Sequence, residues 1–317
     1  MAYARRKSTS YRARKPIRRS VRRSRSTVKT RRYKRIYRRP MTKRRILNAT
    51  SRKKRDTMLA ASNTNSAGSP LPNTGTRAIV YGGTSPPTGS SYNGGFFLWC
   101  ATARDLTINS GPAGAVAQEA TRTATTCYMR GLSEKLRVQT NSPAPWFWRR
   151  ICFTIQAAFG VAAPGDSPTN TYSDYLENSN GFTRLWLNQN INSQGNTTAG
   201  ITNIVFKGAV GRDWRDLISA PVDTRRVNLK YDKTRVFRSG NQSGIVRELK
   251  LWHPMNRNLV YDDDEVADVE NTSVYSVVDK RGMGNYYVLD IIQPGEASSA
   301  SDLLLIDSTS SLYWHEK

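Results

Sequence analysis

The segment Trp146-Phe-Trp-Arg-Arg-Ile-Cys-Phe-Thr-Ile155 alternates between two sets of side chains. Phe147, Ile151, Phe153 and Ile155 share one parity with Arg149, and Trp146, Trp148, Arg150, Cys152 and Thr154 share the other. Successive strand residues point to opposite faces, so this period of two predicts a β-strand over 146–159. A second stretch, 225–238, alternates in the same way: Val227, Leu229 and Tyr231 against Arg226, Asn228, Lys230 and Asp232.

Working outward, seven more segments read as strands: 96–103, 127–140, 183–188, 203–207, 244–252, 285–292 and 303–313. Only 213–219 reads as a helix, and a short one. Strand candidates separated by Gly-, Pro- and Asn-rich loops predict a sandwich of two antiparallel sheets. Long connections at 160–181 and 253–283 alternate with short hairpins, which favours a Greek-key or jelly-roll arrangement over a meander. The expected fold class is therefore all-β, a single jelly roll over 96–317, preceded by a disordered basic N-terminal arm.

That arm stands out by charge. The 317-residue chain carries 49 Lys+Arg against 24 Asp+Glu, a net of +25. Residues 1–55 hold 25 of those cations and no carboxylate, so 56–317 is balanced at 24 against 24. A segment of 18 Arg and 7 Lys lacks the apolar surface to offset its ordering entropy, and its like charges repel. Residues 56–95, rich in Ser, Thr, Asn, Gly and Pro, read as a flexible linker interrupted by a short candidate strand at 78–81.

Guanidinium and ammonium groups bind phosphates without reading bases. The candidate nucleic-acid-binding residues are Arg5, Arg6, Lys7, Arg12, Arg14, Lys15, Arg18, Arg19, Arg22, Arg23, Arg25, Arg31, Arg32, Lys34, Arg35, Arg38 and Arg39. Tyr3, Tyr11, Tyr33 and Tyr37 are interspersed where they can stack on unpaired bases. Lys43-Arg44-Arg45 and Arg52-Lys53-Lys54-Arg55 form a candidate nuclear-localisation pair, which implies a host import receptor as a partner. A wealth of Arg and Ser without acids would suit an organelle transit peptide, but the helical apolar stripe of such a peptide is missing.

Little points to catalysis. His253 and His315 have no His, Cys or carboxylate at metal-ligand spacing, and two isolated histidines do not make the His-hydrophobe-His pair of a replication initiator. No phosphate-cradling Gly-rich loop and no nucleophile elbow occur. The expectation is a non-enzyme without cofactor. Cys100, Cys127 and Cys152 read as small core residues rather than a disulfide framework or zinc site, in keeping with a reducing compartment. No apolar run reaches the roughly 18 residues of a membrane span.

Two further motifs carry alternatives. The acidic run Asp262, Asp263, Asp264 and Glu265 is a solvated loop, a weak candidate cation site, or a counter-charge for a neighbouring subunit's basic patch. Trp146 and Trp148 beside Arg150 offer either a stacking platform for bases or packing; packing is the commoner role, and their parity opposite Phe147 makes all three subunit-contact candidates.

The stretch Cys127-Tyr-Met-Arg-Gly-Leu-Ser-Glu-Lys-Leu-Arg-Val-Gln-Thr-Asn-Ser142, followed by Pro145-Trp-Phe-Trp-Arg-Arg-Ile-Cys-Phe153, resembles the capsid proteins of genomoviruses. These are small circular single-stranded DNA viruses related to geminiviruses. The likeness is specific over 127–155 and weaker elsewhere. It implies a jelly-roll coat protein that assembles with itself into a small icosahedral shell, packages single-stranded DNA, and resides in the virion and the host nucleus. DNA rather than RNA follows from the resemblance alone. The alternative is a cellular nucleic-acid-binding protein, ribosomal or chromatin-type, with a basic tail.

Overall fold

In chain order, the computed structural model contains α1 (Lys43–Thr50), β1 (Arg52–Thr64), β2 (Pro70–Thr74), β3 (Ala78–Tyr81), β4 (Gly95–Cys100), β5 (Thr126–Thr140) and β6 (Trp146–Ile155). The two-residue strands β7 (Glu177–Asn178) and β8 (Gly181–Phe182) follow, then β9 (Arg184–Trp186) and α2 (Gly195–Val205). The chain ends with β10 (Asn228–Phe237), β11 (Val246–Val260), β12 (Asp264–Val266), β13 (Val269–Asn271), β14 (Asn285–Pro294) and β15 (Leu303–Glu316). The structure describes residues 41–83, 94–109 and 111–317. The chain divides into two units, Met1–Lys43 and Arg44–Lys317, and the fold below is that of the second.

The long strands pair in a nested series. β1 pairs with β15, β4 with β14, β5 with β11 and β6 with β10, all antiparallel. First therefore meets last, second meets second-last, and so on inward, as in one long hairpin rolled on itself. Successive pairs fall in alternate sheets, giving the orders β11-β5-β15-β1-β2 and β10-β6-β14-β4. β3 adds to β15, and β9 runs parallel to β1.

Apolar residues from the inner faces of both sheets fill the space between them. Met129, Leu312 and Trp314 of one sheet meet Trp99, Cys152 and Val288 of the other. Towards the far end, Leu136, Val138 and Ile306 meet Phe97, Trp146 and Trp148. Most of the remaining face of the four-stranded sheet is also buried, apart from its edge at Val236. Ile151, Phe153, Tyr287 and Leu289 lie under Ile201 and Val205 of α2 and under Phe206, Trp214 and Leu217 beyond it. Arg149 stitches this cover down, donating to the Leu217 and Ala220 carbonyls at 2.7 Å while pairing with Asp232 at 2.6 Å.

The all-β expectation holds, with five corrections. The arm expected to be disordered through residue 55 is ordered near its end, where Lys43–Thr50 form α1 and Arg52–Arg55 open β1. Residues 56–83 of the expected linker are part of the sandwich: β1 is hydrogen-bonded to β15 along eight residue pairs, and Met58, Ala61, Ser62 and Asn63 are fully buried. Its small polar residues disguise it, because Asn63 donates to the Asn188 carbonyl and receives the Asn188 N–H rather than facing water. Residues 84–93 of the same linker lie outside the described residues.

The expected strand at 203–207 is the end of helix α2. Thr197, Thr198, Ile201, Thr202 and Val205 form its buried stripe, and Asp166, thirty residues upstream, accepts the N–H groups of Asn196 and Thr197 at its start. A cap so distant in sequence leaves no local signature. The expected helix at 213–219 is a set of turns, since Asp213 folds back to accept the Ala209 N–H and Trp214 donates its indole N–H to Lys207. Finally, Leu229 and Tyr231 do not share a face. A bulge shifts register between them, so Leu229 packs under the cover while Tyr231 joins the interior.

Candidate nucleic-acid interface

The candidate phosphate-binding residues from Arg5 to Arg39 lie outside the described residues. Helix α1 leads directly into β1, so the cationic segment is joined in sequence to a strand of the main sheet. Of the candidate localisation residues, Lys43, Arg44 and Arg45 lie on α1, and Arg45 is exposed. Arg52, Lys53 and Arg55 at the start of β1 are exposed as well.

Lys54 is not. It points inward, where Nζ donates to the carbonyls of Val116 and Gln118 at 3.2 and 2.6 Å and lies 3.8 Å from Glu316. Glu316 is held in turn by the Thr123 N–H and hydroxyl and by the Trp314 indole. Alternation in β1 thus divides the second basic cluster: Lys54 ties down the strand, while Lys53 and Arg55 project from the open face of the sheet.

Trp146, Trp148 and Arg150 are fully buried within the single chain, which corrects their expected role as subunit contacts. They do lie opposite Phe147, but the face they share is the sandwich interior. There Arg150 pairs with both Glu134 and Asp290, and Arg184 pairs with the same two carboxylates at 3.0 and 2.5 Å. Trp148 donates its indole N–H to Asp290 at 2.8 Å, and Ser310 donates to Glu134. Two cations and two anions therefore form a closed, neutral square between the sheets.

Burial alone would raise the pKa of Glu134, but Arg150 and Arg184 overcome it and hold that carboxyl at about 2. His253 sits beside the square, Nε2 3.9 Å from Glu134. Burial first, and then the neighbouring Arg150 charge, lowers its pKa to about 4, so it is neutral at pH 7. These buried charges are a structural joint, since none of them opens to solvent.

The acidic run is divided in its turn. Asp263 is spent on Arg122 through two hydrogen bonds of 2.5 and 2.9 Å, and Arg122 lies 3.9 Å from the Tyr261 ring centroid. Asp262, Asp264 and Glu265 are exposed on or beside the β12–β13 hairpin. Among the described residues no group of three or more His, Cys, Asp or Glu side chains is placed to hold a metal ion. Cys100, Cys127 and Cys152 are free and buried, and burial raises all three thiols, Cys152 to about 12. They are core residues. No helix among the described residues is long and apolar enough to cross a membrane.

Nothing local in the sequence places Tyr313 and His315 beside Arg55 and Lys53. Arg55 lies 5.6 Å from the ring centroid of Tyr313, its cross-strand partner, and Lys53 is paired with His315. Tyr313 and His315 have the alternate spacing of one strand face, but their neighbours come from segments far away in sequence. Only the strand register brings them together. No protein-family model matches the chain, and no curated protein does.

Proposed function

We propose that this chain is the coat protein of a small icosahedral virus, with the β body as shell unit and the basic arm as the binder of a single-stranded DNA genome. The observation that carries this is the nested strand series joined to a polycation. The eight nested strands, four in each sheet and rolled as one hairpin, with β2, β3 and β9 added to the larger sheet, support reading the sandwich as a jelly roll, an architecture found among viral capsid domains. The genomovirus-like stretch 127–155 spans β5 and β6, which lie in opposite sheets, so the likeness falls on the framework of the sandwich.

The charge division fits the same role. A body with matched charges can approach copies of itself, while the 25 cations of residues 1–55 neutralise phosphates and release counterions. A shell of about sixty copies would carry about 1,500 such charges, which suits a genome on the order of 1.5–2.5 thousand nucleotides. The segment 43–55 would also serve nuclear import, with Lys54 excluded from receptor contact by its burial.

Size-exclusion chromatography with light scattering, followed by electron microscopy and nuclease digestion of extracted nucleic acid, tests the proposal. Closed particles of about sixty subunits containing DNase-sensitive single strands are the expected result. A species that stays monomeric or dimeric at every salt concentration would refute it.

A further inference from the structure

Beyond the arm, the open face of the main sheet has a composition of its own. Along β1, β15, β5 and β11, the outward positions include Lys53, Arg55, Arg130, Lys135, Arg137 and Lys250, against only Asp307 and Glu248. Arg137 is matched by Asp307 at 3.2 Å. Lys135 and Lys250, by contrast, are direct cross-strand partners. Like charges placed opposite one another destabilise a sheet, so this pair is a standing demand for an anion.

Aromatic rings lie among these cations. Trp252 is 51% exposed, and its indole lies across Gly131 of the neighbouring strand. A Cβ at Gly131 would sit 2.7 Å from indole Cζ2 and 2.6 Å from the His253 carbonyl, and its φ of +154° already favours glycine. The missing side chain is thus what lets the indole lie down on the sheet. The Tyr313 ring is 5.8 Å from that indole, and the Arg55 guanidinium lies 5.6 Å from the same tyrosine ring. Further along the strands, His315 and Tyr128 approach to 6.0 Å. Burial, and then the charges of Arg130 and Lys53, lower the His315 pKa.

We infer that this face is a second nucleic-acid site, a shelf on which unpaired bases stack against Trp252 and Tyr313 while the flanking lysines and arginines hold the phosphates. Single strands fit it better than duplex, because paired bases are already stacked and expose only their edges to a flat sheet. Another protein fits it worse, since lysine is depleted from protein interfaces and this face carries Lys53, Lys135 and Lys250. The inference builds on the coat-protein proposal by adding a base-dependent contact to the phosphate-dependent one of the arm.

The test uses the full chain and two oligonucleotides of about twelve nucleotides, an oligo-dT and an abasic strand of equal charge. Six of the seven tryptophans are buried, so fluorescence quenching on binding reports Trp252. Oligo-dT is expected to quench that emission and to bind about tenfold more tightly than the abasic strand. Trp252→Ala should abolish both the quenching and the preference, while Trp252→Phe, which keeps a stacking ring, should retain the preference. Equal affinity for the two strands without quenching would overturn the shelf while leaving phosphate binding by the arm intact. Failure of either strand to bind with a steep salt dependence would overturn the proposed function as well. If Trp252→Ala instead changed only the state of assembly, the face would be a protein contact, and the shelf would be wrong.

Discussion

The two sheets of the sandwich differ most on their outer faces. On the four-stranded sheet that face carries Ile151, Phe153, Tyr287 and Leu289, and 39 residues of chain from Gln189 to Val227 include the helix and turns that cover it. On the main sheet it carries Thr57, Ser133, Lys135, Lys250 and Trp252 and has no cover among the described residues. An antiparallel sheet needs only one apolar face to fold, so the second face is free either to build core or to work in solvent. This chain does one on each sheet. The covered face adds stability, and the open face, next to the strand that continues the cationic arm, is available for function.

The largest effect expected from that comparison is on the covered side. Phe153, fully buried and stacked on Tyr287 at 5.6 Å, should cost about 4 kcal/mol when changed to Ala. Trp252→Ala on the open face should cost less than about 1 kcal/mol. Urea unfolding of both variants checks this, and similar losses would erase the distinction between the faces.

Between the sheets, Glu134→Gln leaves Arg150 and Arg184 sharing a single carboxylate, and should destabilise by about 3 kcal/mol. An unfolding midpoint equal to that of the wild type would show that the square does not join the sheets.

A third effect is pH-dependent. The folded pKa of His253, about 4, lies below the ordinary value of 6.5. As pH falls through 6.5 the unfolded chain takes up a proton that the folded one refuses, so stability is lost, and the loss levels off only below 4. Between about pH 7.5 and about pH 5 the wild type should lose about 2 kcal/mol more than His253→Gln. Parallel stability–pH curves for the two proteins would contradict the assignment.

The smallest effect on stability belongs to the open face. Replacing Lys135 and Lys250 together with Gln should change stability by less than about 0.5 kcal/mol, and in the favourable direction, because a like-charge pair is removed. The same variant should flatten the salt dependence of single-strand binding, lowering its slope by about 0.7 for each phosphate no longer neutralised. An unchanged slope would mean that neither lysine touches the strand.

How much of this is legible in the sequence depends on whether the signal is local. The alternation in 146–155 assigns each side chain of β6 to its correct face, and it separates Trp146 and Trp148 from Phe147. It is silent on what each face will meet, so an interior face reads, from sequence alone, as a subunit contact. In 225–238 the same alternation fails at one bulge, where an inserted residue reverses the facing of Tyr231 relative to Leu229. Residues 56–64 look like linker because Ala, Ser and Asn carry no strand preference and interrupt the apolar alternation, and their burial depends on partners more than 100 residues away.

The class of fold, the concentration of charge in residues 1–55 and the lack of catalytic motifs follow from composition and from periods of a few residues. Tertiary structure alone decided that β1 belongs to the main sheet, that Arg150 and Arg184 share two carboxylates, and that Trp252, Tyr313 and Arg55 lie side by side. The physical reason is strand register. Hydrogen bonding between strands far apart in sequence sets which side chains become neighbours, and no local pattern encodes that choice.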